Sequence, residues 1–409
     1  MKQRLESLDA LRGFDLFCLV ALSDLVEELA EVIDKPWMGT MMEYFTHKKW
    51  EGFSTWDLVM PLFMFMAGVA IPFALQPPSN SPKGEGLKAS PRGNCPLGAE
   101  QLGSASDGGP KGLAGAALYW RLGRRFLLLW IFGMMVQGKL LALDPNRIYL
   151  FTNTLQAIAV GYLFSAIIYL HTSWKTQIGI AVALLLAFWG AMEWITIGGF
   201  GGGDYTPHGN LAEGIDSMVL GRFRDTAQVI DGEVVVNPSY TYTWILSSLN
   251  FVVTVLTGVL AGEAIKNSKL INSKFKIGTV GLLLGAGVIM VALGWTWDLV
   301  HPVIKHIWTS SMVLVSSGYC FLLMGLFYWW IDCKGHNKHL TFLKVYGMNS
   351  ITAYVVSHVI SFKSISRSLF FGLEQYVGDY YDFIIQLSNV TILFLILYIL
   401  YRNKIFLRV

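Results

Sequence analysis

The chain has 409 residues, of which 54% are hydrophobic and only 14% charged, with a formal net charge of +3. Soluble domains carry roughly 25% charged residues, so the chain is expected to lie in a lipid bilayer. The small net charge gives no sign of a nucleic-acid partner, and the four cysteines lack the paired spacing of a disulfide framework or a zinc site.

Long apolar stretches without period-two alternation predict transmembrane helices rather than a barrel. The expected fold class is all-α, a polytopic integral membrane protein forming a single transmembrane domain over 1–409. Ten spans are expected, at 13–33, 55–75, 120–138, 150–170, 177–197, 243–263, 277–297, 310–331, 343–362 and 382–401. Most of the 31 lysines and arginines fall in segments on the same side as the N-terminus. The positive-inside rule then puts both termini in the cytosol. The first apolar run begins near Phe14 and is not followed by a small-residue cleavage pattern, so no cleavable signal peptide is expected.

At the N-terminus, Asp9, Arg12 and Asp15 are spaced by three and make neighbouring ion pairs on a helix. They read either as a juxtamembrane anchor or as guards of an internal opening for an anionic ligand. Asp24, Glu27, Glu28 and Glu31 interrupt the later part of span one, which allows an early exit from the bilayer.

The stretch from His47 to Gly68 is the focus of the chain. It begins polar and becomes a membrane-length apolar helix with one carboxylate, Asp57, near its start. Ser54 and Asp57 fit an S-x-x-D capping pattern, and a first-turn carboxylate suits the positive end of a helix. A second reading has Asp57 orient or polarise His47. The two readings are compatible, because a cap leaves one carboxylate oxygen free. Histidine titrates near pH ~6.5 when unperturbed, so it supplies a base at neutral pH.

Residues 77–118, rich in Pro, Gly and Ser, read as a flexible cytoplasmic linker. Residues 198–242 form the largest external loop. Its glycine cluster reads as a flexible turn, since the Gly-Lys-Ser/Thr ending of a phosphate loop is missing. Phe200, Tyr205, Phe223, Tyr240 and Tyr242 there suit substrate stacking or loop packing. In span six, Ser247, Asn250, Thr254 and Thr257 with Gly258 and Gly262 read as a close-packing face. His336 and His339 read as loop residues, because no carboxylate or cysteine pair completes a metal set. In span nine, Ser350, Tyr354, His358 and Ser361 fall on one helix face. Polar groups at depth either line a passage or bond between helices.

The His47–Gly68 stretch resembles the hallmark of the heparan-alpha-glucosaminide N-acetyltransferase family, in which a histidine precedes Trp-x-Gly-x-x-x-x-Asp-Leu-Val-x-Pro-x-Phe-x-Phe-x-x-Gly. Here the matching residues are His47, Trp50, Gly52, Asp57, Leu58, Val59, Pro61, Phe63, Phe65 and Gly68. Leu8-Asp9 with Leu11-Arg12-Gly13, Leu155-Gln156 with Ile158-Ala159, and 258–262 resemble further family segments. So do Lys305 with Ile307-Trp308-Thr309-Ser310, and Gly347-Met348-Asn349-Ser350-Ile351. The matches run in the same order over most of the chain. Departures include Ala157 where the family has arginine, and Thr241-Tyr242-Thr243-Trp244 in place of Asp-Pro-Glu-Gly.

The resemblance implies an acyltransferase that moves an acetyl group from cytosolic acetyl-CoA to an amine or hydroxyl of a sugar on the outer side. His47 takes the place of the family's catalytic histidine, as general base or as an acetyl carrier, with Asp57 as its partner. Lys305, Trp308, Asn349 and Ser350 are implied ligand contacts. Ser23 or Asp24 stands nearest to the family's asparagine near the end of span one, with Asp24 placed in the substrate set, and His358 joins that set from its polar face. Arg12, Arg124, Arg125 and Lys344 form a basic cytosolic rim suited to the CoA phosphates. No metal is implied, and a homodimer is left open. The lack of a large external N-terminal domain points to a bacterial inner membrane. The rival reading is a transporter of a sugar or other polar solute, and a weaker one is a binding-only scaffold. CoA dependence separates them.

Overall fold

The computed structural model describes residues 5–33, 35–75, 111–225, 227–230, 233–236, 242–270, 273–336 and 338–407. The linker expected over 77–118 lies outside them as far as residue 110, and its last residues are already helical. The helices in chain order are α1 (Glu6–Phe17), α2 (Ser23–Val32), α3 (Pro36–Phe45), α4 (Val59–Ala74), α5 (Lys111–Val136), α6 (Thr154–His171), α7 (Trp174–Trp194) and α8 (Leu211–Leu220). They continue as α9 (Ser248–Leu270), α10 (Ser273–Trp297), α11 (Ser310–Phe327), α12 (Thr341–Met348), α13 (Ser350–Val359), α14 (Lys363–Leu369), α15 (Glu374–Val377) and α16 (Tyr381–Arg402).

Among the described residues, seven helical stretches are long and apolar enough to cross a membrane: 55–74, 154–171, 174–194, 248–267, 278–297, 310–333 and 374–402. The other three expected spans are helical but differ for physical reasons. Span one is α1 and α2 joined through a π-helical turn at Cys18–Leu22, and acidic residues dilute its apolar run. Span three is α5, which carries Arg121, Arg124 and Arg125. Span nine is not one helix. It breaks at Asn349, whose backbone is non-helical (φ −112°, ψ 26°) and whose amide donates to Val345 O and Leu397 O. The helix then ends at Val359, so Ser361 does not continue the expected polar face.

The expected loop 198–242 also holds structure. Thr196–Ile197 (β1) and Phe200–Gly201 (β2) form a two-residue hairpin around Gly198 and Gly199, both with positive φ, as such a turn requires. A second hairpin pairs β3 (Ala227–Ile230) with β4 (Glu233–Val236). Between them, α8 is capped by Asn210, whose side chain accepts from Glu213 N. Span six begins later than expected because the Asp216 carboxylate of α8 takes the backbone N–H groups of Trp244 and Ile245.

α9 is the central strut, in contact with α4, α6, α7, α10 and α11. A Cβ on Gly68 would lie 2.0 Å from Val255 O, and one on Gly258 would lie 2.0 Å from Phe65 O. The α4 and α9 backbones therefore touch, which is the close approach that small residues permit. The same device joins α1 to α12. A Cβ on Gly13 would meet Leu343 O at 1.8 Å, and one on Gly347 would meet Asp9 O at 1.9 Å. Several glycines of the family-like motifs thus hold helices together.

Candidate active site

The approach to α4 is built by its cap. Ser54 N and Ser54 Oγ donate to Asp57 Oδ2 at 2.9 and 3.0 Å, and Lys48 N approaches the same oxygen at 3.4 Å. This capping box opens a short 3₁₀ turn, Thr55–Leu58, that runs into α4. The other oxygen, Oδ1, lies 2.8 Å from His47 Nδ1. One carboxylate therefore fixes the helix start with one oxygen and the imidazole with the other. Asp57 is 1% exposed, whereas His47 is 46% exposed.

A third group completes the cluster from a distant loop. Lys305 Nζ sits 2.9 Å from His47 Nδ1, 3.4 Å from His47 Nε2 and 3.4 Å from Asp57 Oδ1. The loop that carries it is held on several sides. Gly52 N donates to Val303 O, and Glu51 bridges Ile304. Val303 N donates to Asp298 Oδ1, Thr243 N to His306 O, and Ser247 Oγ to Ile307 O. Buried His301 bridges Tyr205 OH (2.8 Å) and Ser310 N (3.0 Å). Burial lowers His301 to about 3, so it serves as a neutral strut.

The electrostatics of the loop follow from burial. Lys305 is lowered to about 8, chiefly by burial, against the opposing pull of Asp57. His306 is lowered to about 4 by burial and then by the Lys305 charge. Its ring stacks on Trp50 and packs against Tyr242. Asp57 takes only donors, as suits a carboxylate. With Nδ1–H of His47 donating to Oδ1, the free lone pair of the imidazole is on Nε2.

One cavity opens on this cluster and a second lies beyond it. One, about 250 Å³, is lined by His47, Lys305, Tyr242, Asn153, Gln137 and His358 among others. The second, about 270 Å³, is lined by Asp9, Arg12, Arg125, Ser350, Gly347 and Leu155 among others. Both include Phe63, Thr154 and Tyr354. Along α4 the lining moves from Met60 to Phe63 to Ala67, and along α13 from His358 to Tyr354 to Ser350. The two cavities thus lie end to end along the helices. In the second, Arg125 lies over the Tyr162 ring at 4.0 Å, and Arg12 donates to Met66 O.

The remaining predicted residues divide. Ser350 lines the arginine cavity rather than the His47 cavity, while His358 lines the His47 cavity. Trp308 lines neither cavity. It is 2% exposed, with its indole donating to Thr254 and its carbonyl accepting from Asn250. Asn349 is likewise buried and bonded to backbone. Asp24 accepts from Gln386 of α16, and Lys344 pairs with Glu6. Arg124 is exposed beside Arg125 and lines neither cavity. Sequence reasoning missed Asn153, Gln137, His306 and the role of His301. Asn153 had a signal: an asparagine just before an apolar run marks a helix start, and its Oδ1 does cap α6. Among the described residues no group of three His, Cys, Asp or Glu side chains is placed to hold a metal ion.

No protein-family model matches the chain. It is 24% identical over 452 aligned positions to the heparan-alpha-glucosaminide N-acetyltransferase of Homo sapiens, covering 98% of this chain and 59% of that protein. It is 23% identical over 457 positions to the protein of the same name from Mus musculus, covering 98% of this chain and 60% of the relative. The chain therefore spans about three fifths of the length of the curated relatives it matches.

Proposed function

The chain is a distant relative of the heparan-alpha-glucosaminide N-acetyltransferases, and from this we infer that it is a membrane acetyltransferase. Acetyl-CoA enters from the cytosolic side, where Arg12 and Arg125 attract its phosphates. The acceptor is an amine or hydroxyl of a sugar presented on the outer side, at His47. The observation that carries this reading is the arrangement of the cavities. A His–Asp–Lys cluster stands in one, a pair of arginines in the other, and the two share a wall.

In this mechanism Asp57 holds Nδ1–H of His47, so Nε2 removes a proton from the acceptor as it attacks the thioester carbonyl. The new C–N or C–O bond forms, the C–S bond breaks, and the CoA thiolate leaves and takes up the proton. A positioned base contributes roughly 10²–10⁴-fold. The Lys305 ammonium, beside the ring, stabilises the oxyanion of the tetrahedral intermediate. Holding the acceptor at His47 while the thioester reaches it from the arginine cavity supplies proximity. The positive-inside bias of the loops supports both termini in the cytosol. The relatives' names favour a transferase over a transporter.

The test is direct. Purified protein in liposomes receives radiolabelled acetyl-CoA on one side and an amino sugar on the other. The expected result is a labelled acetylated sugar, lost in His47→Ala. No product together with no CoA binding would refute the enzyme reading.

A further inference from the structure

The wall between the two cavities is made by three side chains from three helices: Phe63 of α4, Thr154 of α6 and Tyr354 of α13. Tyr354 is 7% exposed. The Phe63 backbone is anchored, because α4 contacts the α9 backbone at Gly68. The constriction therefore has two aromatic side chains, Phe63 and Tyr354, with Thr154 completing it.

We propose that Phe63, Thr154 and Tyr354 form a cross-section filter that selects unbranched acyl groups. This rests on the acyltransferase reading above. The reacting carbonyl must come from the arginine cavity to His47, so the acyl group passes the wall first and the thin thioester arm follows it. An unbranched acyl group is no wider than the arm behind it. A branched acyl group is wider by a methyl at its second carbon, and that methyl must pass between Phe63, Thr154 and Tyr354. Packed interiors do not yield freely to an added methyl. A hydrophobic site discriminates one such group by ~10–200-fold.

The filter separates width from length, and the test uses that separation. Butyryl-CoA and isobutyryl-CoA carry the same number of carbons and differ only in branching. The quantity read is the ratio of kcat/KM for isobutyryl-CoA to that for butyryl-CoA, in which any change of overall rate cancels. The wild-type ratio is expected at or below ~0.1. Phe63→Ala should raise it at least about tenfold. Tyr354→Ala, which removes the second ring, should raise it as well. Phe63→Leu provides a milder variant in case the alanine protein does not fold. A wild-type ratio near one overturns the filter, as does a ratio in Phe63→Ala or Phe63→Leu unchanged from wild type. Failure of the underlying reading looks different, because acetyl-CoA itself would then give no product.

Discussion

Replacing Asp57 by asparagine separates its two roles. The Oδ2 side meets three donors, Ser54 N, Ser54 Oγ and Lys48 N, whereas Oδ1 meets His47 and Lys305. An asparagine side chain offers one oxygen and one NH2. With its oxygen turned to the imidazole, the NH2 would confront the donors of the cap, so the oxygen stays at the cap. The NH2 then faces His47 Nδ1, which must become an acceptor, and the ring proton moves to Nε2. The base is blocked without disturbing the helix start. The general-base contribution of ~10²–10⁴-fold is then forfeited. Amidation of the orienting aspartate in Ser–His–Asp hydrolases lowers kcat by about 10⁴. For Asp57→Asn, kcat should fall by ~10²–10⁴-fold, with KM for acetyl-CoA within about threefold of wild type. Ser54→Ala is the counterpart. It removes a cap donor, should cost about 0.5–2 kcal/mol of stability, and should leave kcat within about tenfold. Steady-state acetyl transfer and thermal unfolding in detergent read both variants. If Asp57→Asn keeps kcat within about threefold while losing as much stability as Ser54→Ala, Asp57 is a cap alone and the orienting argument fails.

Lys305, lowered to about 8 by burial, should give acetyl transfer a falling limb above pH ~8, where the ammonium is lost. Lys305→Arg, charged at all accessible pH, should remove that limb, and its persistence would refute an electrostatic role. Stability should move the other way. The unfolded chain holds this proton up to ~10.4, so the Lys305 contribution rises with pH between about 8 and that value, as melting at pH ~7 and ~9.5 can show. Gly68→Ala pushes a methyl into Val255 O and should cost about 1–3 kcal/mol, read as a lower melting temperature. Trp308→Phe removes the indole bond to Thr254 and should cost about 0.5–1.5 kcal/mol. It should leave KM for the acceptor unchanged, and a raised KM would return Trp308 to the binding site.

What the sequence revealed divides along chain distance. The apolar runs at 55–75, 150–170 and 310–331 became helices close to those limits, because continuous hydrophobicity is a local property. The Ser54–Asp57 cap was also legible, being contained in four residues. Lys305 was legible only as part of a motif. It meets His47 across a separation of 258 residues, and no local pattern encodes that meeting. The break at Asn349 was hidden for a similar reason. Its side-chain amide joins Val345 O of its own helix to Leu397 O, from the far end of the chain. The arginines misled in part. Arg124 and Arg125 are adjacent and chemically alike, but on a helix they point about 100° apart, and only Arg125 reaches a cavity.

The contact between Gly68 and Gly258 has a mechanical meaning. Two backbones in contact cannot slide past one another without a clash, so α4 and α9 behave as a stator. Across the passage, α13 is a ten-residue segment that follows the break at Asn349 and ends at Val359. Phe63, one side of the passage, and Asp57, which holds His47, both belong to the stretch that enters the fixed pair of α4 and α9.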